Sequence, residues 1–130
     1  RRAAPLAGRL KGVRLLLVED NEVNQAVARQ ILQSAGAAVE IAADGAAAVA
    51  ILAGRGADFD AVLMDIQMPG MDGYQATHAI RQELGLSGLP IIAMTANALA
   101  SDRRKALAAG MNAHLAKPID IEALFRALGA

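Results

Sequence analysis

The stretch Val13-Arg14-Leu15-Leu16-Leu17-Val18-Glu19-Asp20 decides how the rest of the chain is read. It is a short apolar run, interrupted only by Arg14 near its start and closed by two acids. A continuous run, rather than an alternating one, suits a strand buried on both faces, as in a parallel sheet covered by helices. The pattern changes directly afterwards. Over residues 21–35, Val23, Val27 and Ile31 recur four apart, which predicts a helix with that stripe in the core and Gly36 as its stop. The same pair of patterns then repeats. Residues 39–42 read as a strand, and residues 46–53 as an alanine-rich helix closed by Gly54 and Gly56. Residues 59–64 form a third apolar run ending in Asp65, and Pro69, Gly70 and Gly73 mark residues 68–73 as a loop. Residues 74–84 read as a helix, 90–94 as a strand, 98–109 as a helix stopped by Gly110, and 113–116 as a last strand broken by Lys117-Pro118. A final helix is expected over 119–128, with Asp120 as its N-cap. Five strands, each followed by a helix, predict an α/β fold: a parallel sheet, right-handed crossovers and helices on both faces.

The 130 residues suit one domain, and they are enough to bury a proper core. Thirteen basic and thirteen acidic residues balance, so no global field draws the chain to nucleic acid or to an anionic membrane. There is no cysteine, which excludes disulfides, zinc–thiolate sites and thiol catalysis. Alanine supplies about a quarter of the chain and aromatics only 2%, so the core must be packed from aliphatic side chains, and base stacking is a poor prospect. No uncharged apolar stretch is long enough to span a bilayer, and the first residues lack the apolar region of a signal peptide. Residues 1–12 read as a linker, residues 13–130 as the domain, and the cytoplasm is the expected compartment.

In open α/β sheets, ligands bind at the carboxyl ends of the strands. There the sequence places Glu19-Asp20 after strand one, Asp65 after strand three, Thr95 after strand four and Lys117 after strand five. Two unit charges ~4 Å apart repel by about 4 kcal/mol at an effective dielectric of 20, so three carboxylates need positive company. Lys117 brings one charge, and a divalent, oxygen-loving ion would bring two. Mg²⁺ fits, since it accepts one or two carboxylates together with water and phosphate. A salt-bridged cluster that merely caps the strands is the competing reading, and it fits one such residue better than five.

Val18-Glu19-Asp20-Asn21, Met64-Asp65-Ile66-Gln67-Met68-Pro69-Gly70-Met71-Asp72-Gly73, Met94-Thr95-Ala96 and Lys117-Pro118 together resemble the receiver domain of two-component response regulators. The likeness covers about residues 13–128 and is specific in combination, although each piece alone is weak. It implies a three-layer, flavodoxin-like, doubly wound (βα)5 sheet with strand order 2-1-3-4-5. By the same resemblance, Asp65 is the aspartate that accepts a phosphoryl group from a partner's phosphohistidine. Asp20 is a direct Mg²⁺ ligand, Glu19 an acid that reaches the metal through water, and the Gln67 backbone carbonyl a further ligand. Lys117 pairs with a phosphoryl oxygen, and the Ala96 backbone amide is another donor to it. Thr95 is the hydroxyl of the switch, the Lys117-Pro118 bond is cis, and Gln67 and Asn97 stand where family members tune hydrolysis. Transfer of a phosphoryl group spreads charge over three oxygens, which suits such a constellation.

One position departs from the family pattern. His114 stands where Tyr or Phe is usual as the rotating switch residue, which puts the coupling to Thr95 in question; a half-buried strand histidine with no signalling role is the plain alternative. Arg103-Arg104-Lys105 reads as a solvated helix face, Asn24 and Gln25 as surface, His78 as exposed, and the five methionines as gap fillers. The run from Glu19 to Gln25 resembles receivers of hybrid histidine kinases, which implies a histidine kinase dimerisation domain or a histidine phosphotransfer domain as partner. The linker-like Leu6-Ala7-Gly8-Arg9-Leu10-Lys11-Gly12 resembles the junction after a kinase ATPase domain, which favours the C-terminal receiver of a hybrid sensor kinase over a free-standing regulator. The resemblance implies a phosphoacceptor module rather than a turnover enzyme, with no direct contact to nucleic acid or membrane. The oligomeric state stays open, with a monomer as the default and a weak dimer through helix four, strand five and helix five as the alternative. A receiver-like module that binds without phosphorylation is the second reading, but it would ordinarily lack Asp65, an acid or Lys117. A haloacid-dehalogenase-type phosphatase expects a second aspartate two residues after the nucleophile, where Gln67 stands. Neither nucleotide-binding glycine motif occurs.

Overall fold

The structure is a computed structural model that describes residues 9–96 and 100–128, the side chains of residues 100–102 excepted. Residues 1–8, most of the expected linker, and Asn97 lie outside the described residues. The elements run β1 (Arg14–Val18), α1 (Glu22–Ser34), β2 (Ala38–Ala42), α2 (Gly45–Arg55), a short 3₁₀ turn (Gly56–Asp58), β3 (Ala61–Asp65), α3 (Gly73–Gln82), β4 (Ile91–Thr95), α4 (Ala100–Ala109), β5 (Ala113–Ala116) and α5 (Ile121–Ala127). All strands are parallel, in the order β2-β1-β3-β4-β5. The chain is therefore a doubly wound, flavodoxin-like α/β domain, as the sequence implied.

The apolar runs work as expected. Leu16 and Val18 of β1 face one core with Ala48 and Leu52 of α2, Ala76 and Ile80 of α3 and Ala106 of α4. Leu15 and Leu17 face the other, with Ala28 and Leu32 of α1 and Ile121 and Leu124 of α5. A strand between two dry layers has no polar face to show, which is why β3 and β4 are buried throughout. Among the described residues no helix is long and apolar enough to cross a membrane.

Three expectations need correction. On α1 the buried residues are Ala28 and Leu32, whereas Val23 and Val27 are 70% and 48% exposed and Ile31 is half-buried. Both stripes repeat every four residues, so periodicity could not choose between them; the smaller Ala28 lets the helix sit close to the sheet. On α2, Gly54 does not end the helix, which runs from an Asp44 cap to Arg55. The last helix starts two residues later than read, because Asp120 is indeed its cap and Ile119 precedes it.

An arginine closes the far end of the sheet. Arg81, at the end of α3, donates to the carbonyls of Gly110 (2.9 Å), Leu86 (2.6 Å) and Leu89 (2.6 Å) and to the Asn112 side chain (2.8 Å). It ties the loop before β4 to the turn before β5, so both strands reach the opposite end of the sheet from a fixed base.

Candidate functional site

The carboxyl ends of β1, β3, β4 and β5 meet at one rim. Glu19 follows β1 and is 2% exposed; its amide donates to the Ala42 carbonyl. One carboxylate oxygen accepts from Lys117 Nζ at 3.0 Å and the other from the Asn21 amide at 3.2 Å. Asp65 ends β3, is 4% exposed, and lies 3.1 Å from the same Lys117 ammonium. Asp20 is exposed at the rim, and ligand atoms of Glu19, Asp20 and Asp65 lie within 4.8 Å of one another. Three acids so close, all oxygen donors, form a set that could hold a hard divalent cation. Gln67 is exposed just beyond β3, and its amide donates to Asp65 Oδ1 at 3.2 Å.

Lys117 reaches the acids from a backbone held at the rim, where its amide donates to the Thr95 carbonyl at 2.8 Å. The Lys117-Pro118 bond is cis, as the resemblance implied. Thr95 ends β4 and is buried, with Ala96 exposed next to it. Thus Glu19, Asp20, Asp65, Gln67, Thr95, Ala96 and Lys117 all lie on the rim. His114 does not. It sits on β5 opposite Ala93, half-buried, with Nε2 in the interior and without a hydrogen-bond partner among the described residues.

Charge and burial set the protonation states. Burial pushes the Asp65 carboxyl up, and the neighbouring Glu19 charge adds to this; Lys117 and the Gln67 amide oppose, and the result is a pKa of about 6. Burial would raise Glu19 too, but the Lys117 hydrogen bond and the Asn21 amide pull it below the usual glutamate value. Burial works against the Lys117 charge, and the two acids more than compensate, so its pKa lies above that of a free lysine. A folded-state pKa of about 6 for Asp65, against 3.8 for the free group, means that the folded chain binds the extra proton between those values. Stability therefore falls as pH rises through that window, and above it the full cost of an ionised Asp65 is present. In Mg²⁺-free buffer, Asp65→Asn is expected to be more stable than wild type at pH 7 by about 2 kcal/mol, an advantage that shrinks below pH 4. Urea melts of both proteins at the two pH values check this.

Several contributors escaped the sequence reading. Gln25, taken as surface, is half-buried and donates from its side chain to the Glu19 carbonyl at 2.7 Å. Asn21 caps α1 through its side chain, which accepts from the Asn24 amide at 2.9 Å. Its cap-forming residue type ahead of the helix was the available signal. Gly73, the first residue of α3, lies so close to β3 that an added Cβ would collide with the Asp65 carbonyl oxygen and come within 2.9 Å of Ile66 Cα.

The family model for the response regulator receiver domain matches residues 15–129. The chain belongs to the response regulator receiver domain family. Relatives of this receiver domain include the sensor protein GacS of Pseudomonas syringae pv. syringae, 47% identical over an alignment of 118 residues, with 88% of this chain and 13% of that protein covered. The osmosensing histidine protein kinase SLN1 of Saccharomyces cerevisiae is 42% identical over 82% of this chain and 9% of its own length. The receiver domain thus spans only about a tenth of these relatives. Among solved structures, the receiver domain of the sensor histidine kinase PA1611 from Pseudomonas aeruginosa, with a magnesium ion in its active site cleft, is 50% identical. It covers 90% of this chain and 94% of that one, with a TM-score of 0.77. The receiver domain of histidine kinase CKI1 from Arabidopsis thaliana, complexed with Mg²⁺ and BeF3⁻, is 30% identical over 95% of both chains, with a TM-score of 0.81.

Proposed function

We propose that this receiver domain accepts a phosphoryl group on Asp65 from the phosphohistidine of a partner protein and passes it on or hydrolyses it. The observation that carries the reading is the Lys117 ammonium bridging two buried acids beside a third. An Asp65 carboxylate oxygen forms the new bond to phosphorus as the phosphorus–nitrogen bond breaks, and the imidazole leaves. Lys117, released in part from Glu19, pairs with a phosphoryl oxygen, and the Thr95 hydroxyl and the Ala96 amide stand on the adjoining strand end to receive others. Glu19, Asp20, Asp65 and the Gln67 carbonyl would hold Mg²⁺, which neutralises charge on the acids and on the transferred group. The added charge on Asp65 then acts on Thr95, with His114 as the second member of the switch.

The partner reaches Asp65 past α1. The exposed Val27 lines a crevice of about 290 Å³ together with Asn24, Ile31, Lys117 and Pro118, and the exposed Val23 lies one turn earlier on the same helix. An apolar helical rim beside an acidic site fits another helix carrying a histidine, which supports a kinase dimerisation domain or a histidine phosphotransfer domain as the donor. The sensor proteins among the relatives support residues 13–130 as the cytoplasmic receiver domain of a longer signalling chain, such as a membrane sensor kinase.

Incubation with Mg²⁺ and acetyl phosphate, followed by intact mass measurement, tests the chemistry. Wild type is expected to gain one phosphoryl mass, lost in EDTA, and Asp65→Asn to gain none. A wild type that binds Mg²⁺ but gains no mass supports the phosphorylation-independent binding module instead.

A further inference from the structure

Arg9 and Leu10 fall in the segment read as linker, yet they are fastened to the domain at three points. The Arg9 guanidinium lies fork-to-fork on Glu122, with Nη1–Oε2 at 2.9 Å and Nη2–Oε1 at 3.0 Å. Its face stacks on the Phe125 ring, 4.5 Å from the centroid. Leu10 is 1% exposed in the apolar cluster that also holds Leu32, Ile119, Ile121 and Leu124, and its amide donates to the Ala35 carbonyl at 2.7 Å. A passing linker needs none of this. Ordering a long arginine side chain costs rotamer freedom, and the bidentate pair together with the ring contact offsets it.

The place that is gripped matters. Glu122 is in the first turn of α5, where its amide donates to the capping side chain of Asp120 at 3.0 Å. Lys117 is five residues earlier. The intervening loop is held at one end by the Lys117 amide on Thr95 and at the other by the Asp120 cap. Its Ile119 packs in the same cluster as Leu10. Ile121, in the opening turn of α5, is buried with Leu124, and the Arg9–Glu122 pair adds a fastener to that turn from outside the helix.

We propose that Arg9 and Leu10 form a strap that positions the Lys117 loop through the first turn of α5, so that the chain leading into β1 sets how Lys117 meets Glu19 and Asp65. Arg9 is then a positioning residue, and a displacement of the chain at Arg9 arrives first at the loop that carries the site's only cation among the described residues.

The test uses Arg9→Gln, Glu122→Gln and the exchanged pair Arg9→Glu with Glu122→Arg. Amide hydrogen exchange over residues 117–122 and the rate of phosphorylation by acetyl phosphate are read at a temperature where amide spectra show the rest of the fold intact. Each single variant is expected to speed exchange in that segment and to slow phosphorylation roughly three- to ten-fold. The exchanged pair is expected to recover at least half of both effects. A lower melting temperature with unchanged exchange at 117–122 and an unchanged rate would make the strap merely structural and overturn the proposal, as would no effect at all. The rate readout rests on Asp65 being the phosphoacceptor and the exchange readout does not. A wild type that takes up no phosphoryl group therefore defeats that reading, and the strap is then judged by exchange alone.

Discussion

Lys117→Met is expected to slow phosphorylation of Asp65 by at least about 100-fold while leaving the sheet assembled. Removing one preorganised donor from developing charge in a water-poor site typically costs 10²–10³ in rate. Here one ammonium contacts both buried acids, at 3.0 Å and 3.1 Å, so its loss also removes the group that opposes burial of the Asp65 charge. The Asp65 pKa, already about 6, is then expected to move further up, so less of the nucleophilic carboxylate is present at neutral pH. Carbon-13 titration of the Asp65 carboxyl gives the direction of that shift, and mass-resolved phosphorylation gives the rate. Lys117→Arg keeps the charge, but the planar guanidinium cannot place one nitrogen between the two acids as the ammonium does. A recovery of less than about a tenth of the lost rate is expected from it. A methionine variant phosphorylated at the wild-type rate would remove Lys117 from the chemistry.

Gly73→Ala carries the largest expected loss of stability from a single methyl group. The glycine amide donates to the Ile66 carbonyl at 3.0 Å, which pins the start of α3 against the end of β3. An added Cβ meets backbone on that side, the Asp65 carbonyl oxygen and Ile66 Cα, and neither can move aside as a flexible side chain would. Either α3 lifts from the sheet or Asp65 shifts. A loss of about 2–3 kcal/mol follows from overpacking of this kind, roughly 8–12 °C in melting temperature for a domain of this size. Because the strain falls on Asp65, one of the three acids that could hold the ion, Mg²⁺ affinity is expected to drop together with stability. Gly54→Ala is the internal comparison. It lies inside α2 with open space around it, and there alanine should stabilise by about 0.5–1 kcal/mol. Thermal melts of the two variants should therefore move in opposite directions.

The sign of that comparison was not legible in the sequence. Both glycines stood beside helical patterns, and Gly54 was even read as a helix end. What separates them is the distance to another segment's backbone. The same holds for α1, where two stripes of equal period competed and the contact with the sheet chose Ala28 and Leu32, leaving Val23 and Val27 outward. It holds for Gln25, polar on an amphipathic helix and yet turned to the Glu19 carbonyl. Arg9 and Leu10, bonded and packed across more than a hundred positions of chain, left no local sign at all.

The site residues themselves were legible because each is an exception in its own run. Glu19 follows the buried apolar run Leu15–Val18, Asp65 ends the buried run that starts at Ala61, and Lys117 stands before a proline at the end of the last strand. Strand periodicity, helix caps and these polar exceptions are local properties, set by backbone sterics and by the cost of burying unpaired charge. They determined the five-unit parallel sheet and the edge where its chemistry gathers. The tertiary structure alone decided which helix face meets the sheet, which acid is held low and which is raised, and what fastens the lysine loop. Those outcomes depend on separations between segments distant in sequence, where dispersion, electrostatics and steric exclusion act over a few ångströms, and the order of residues along the chain does not state them.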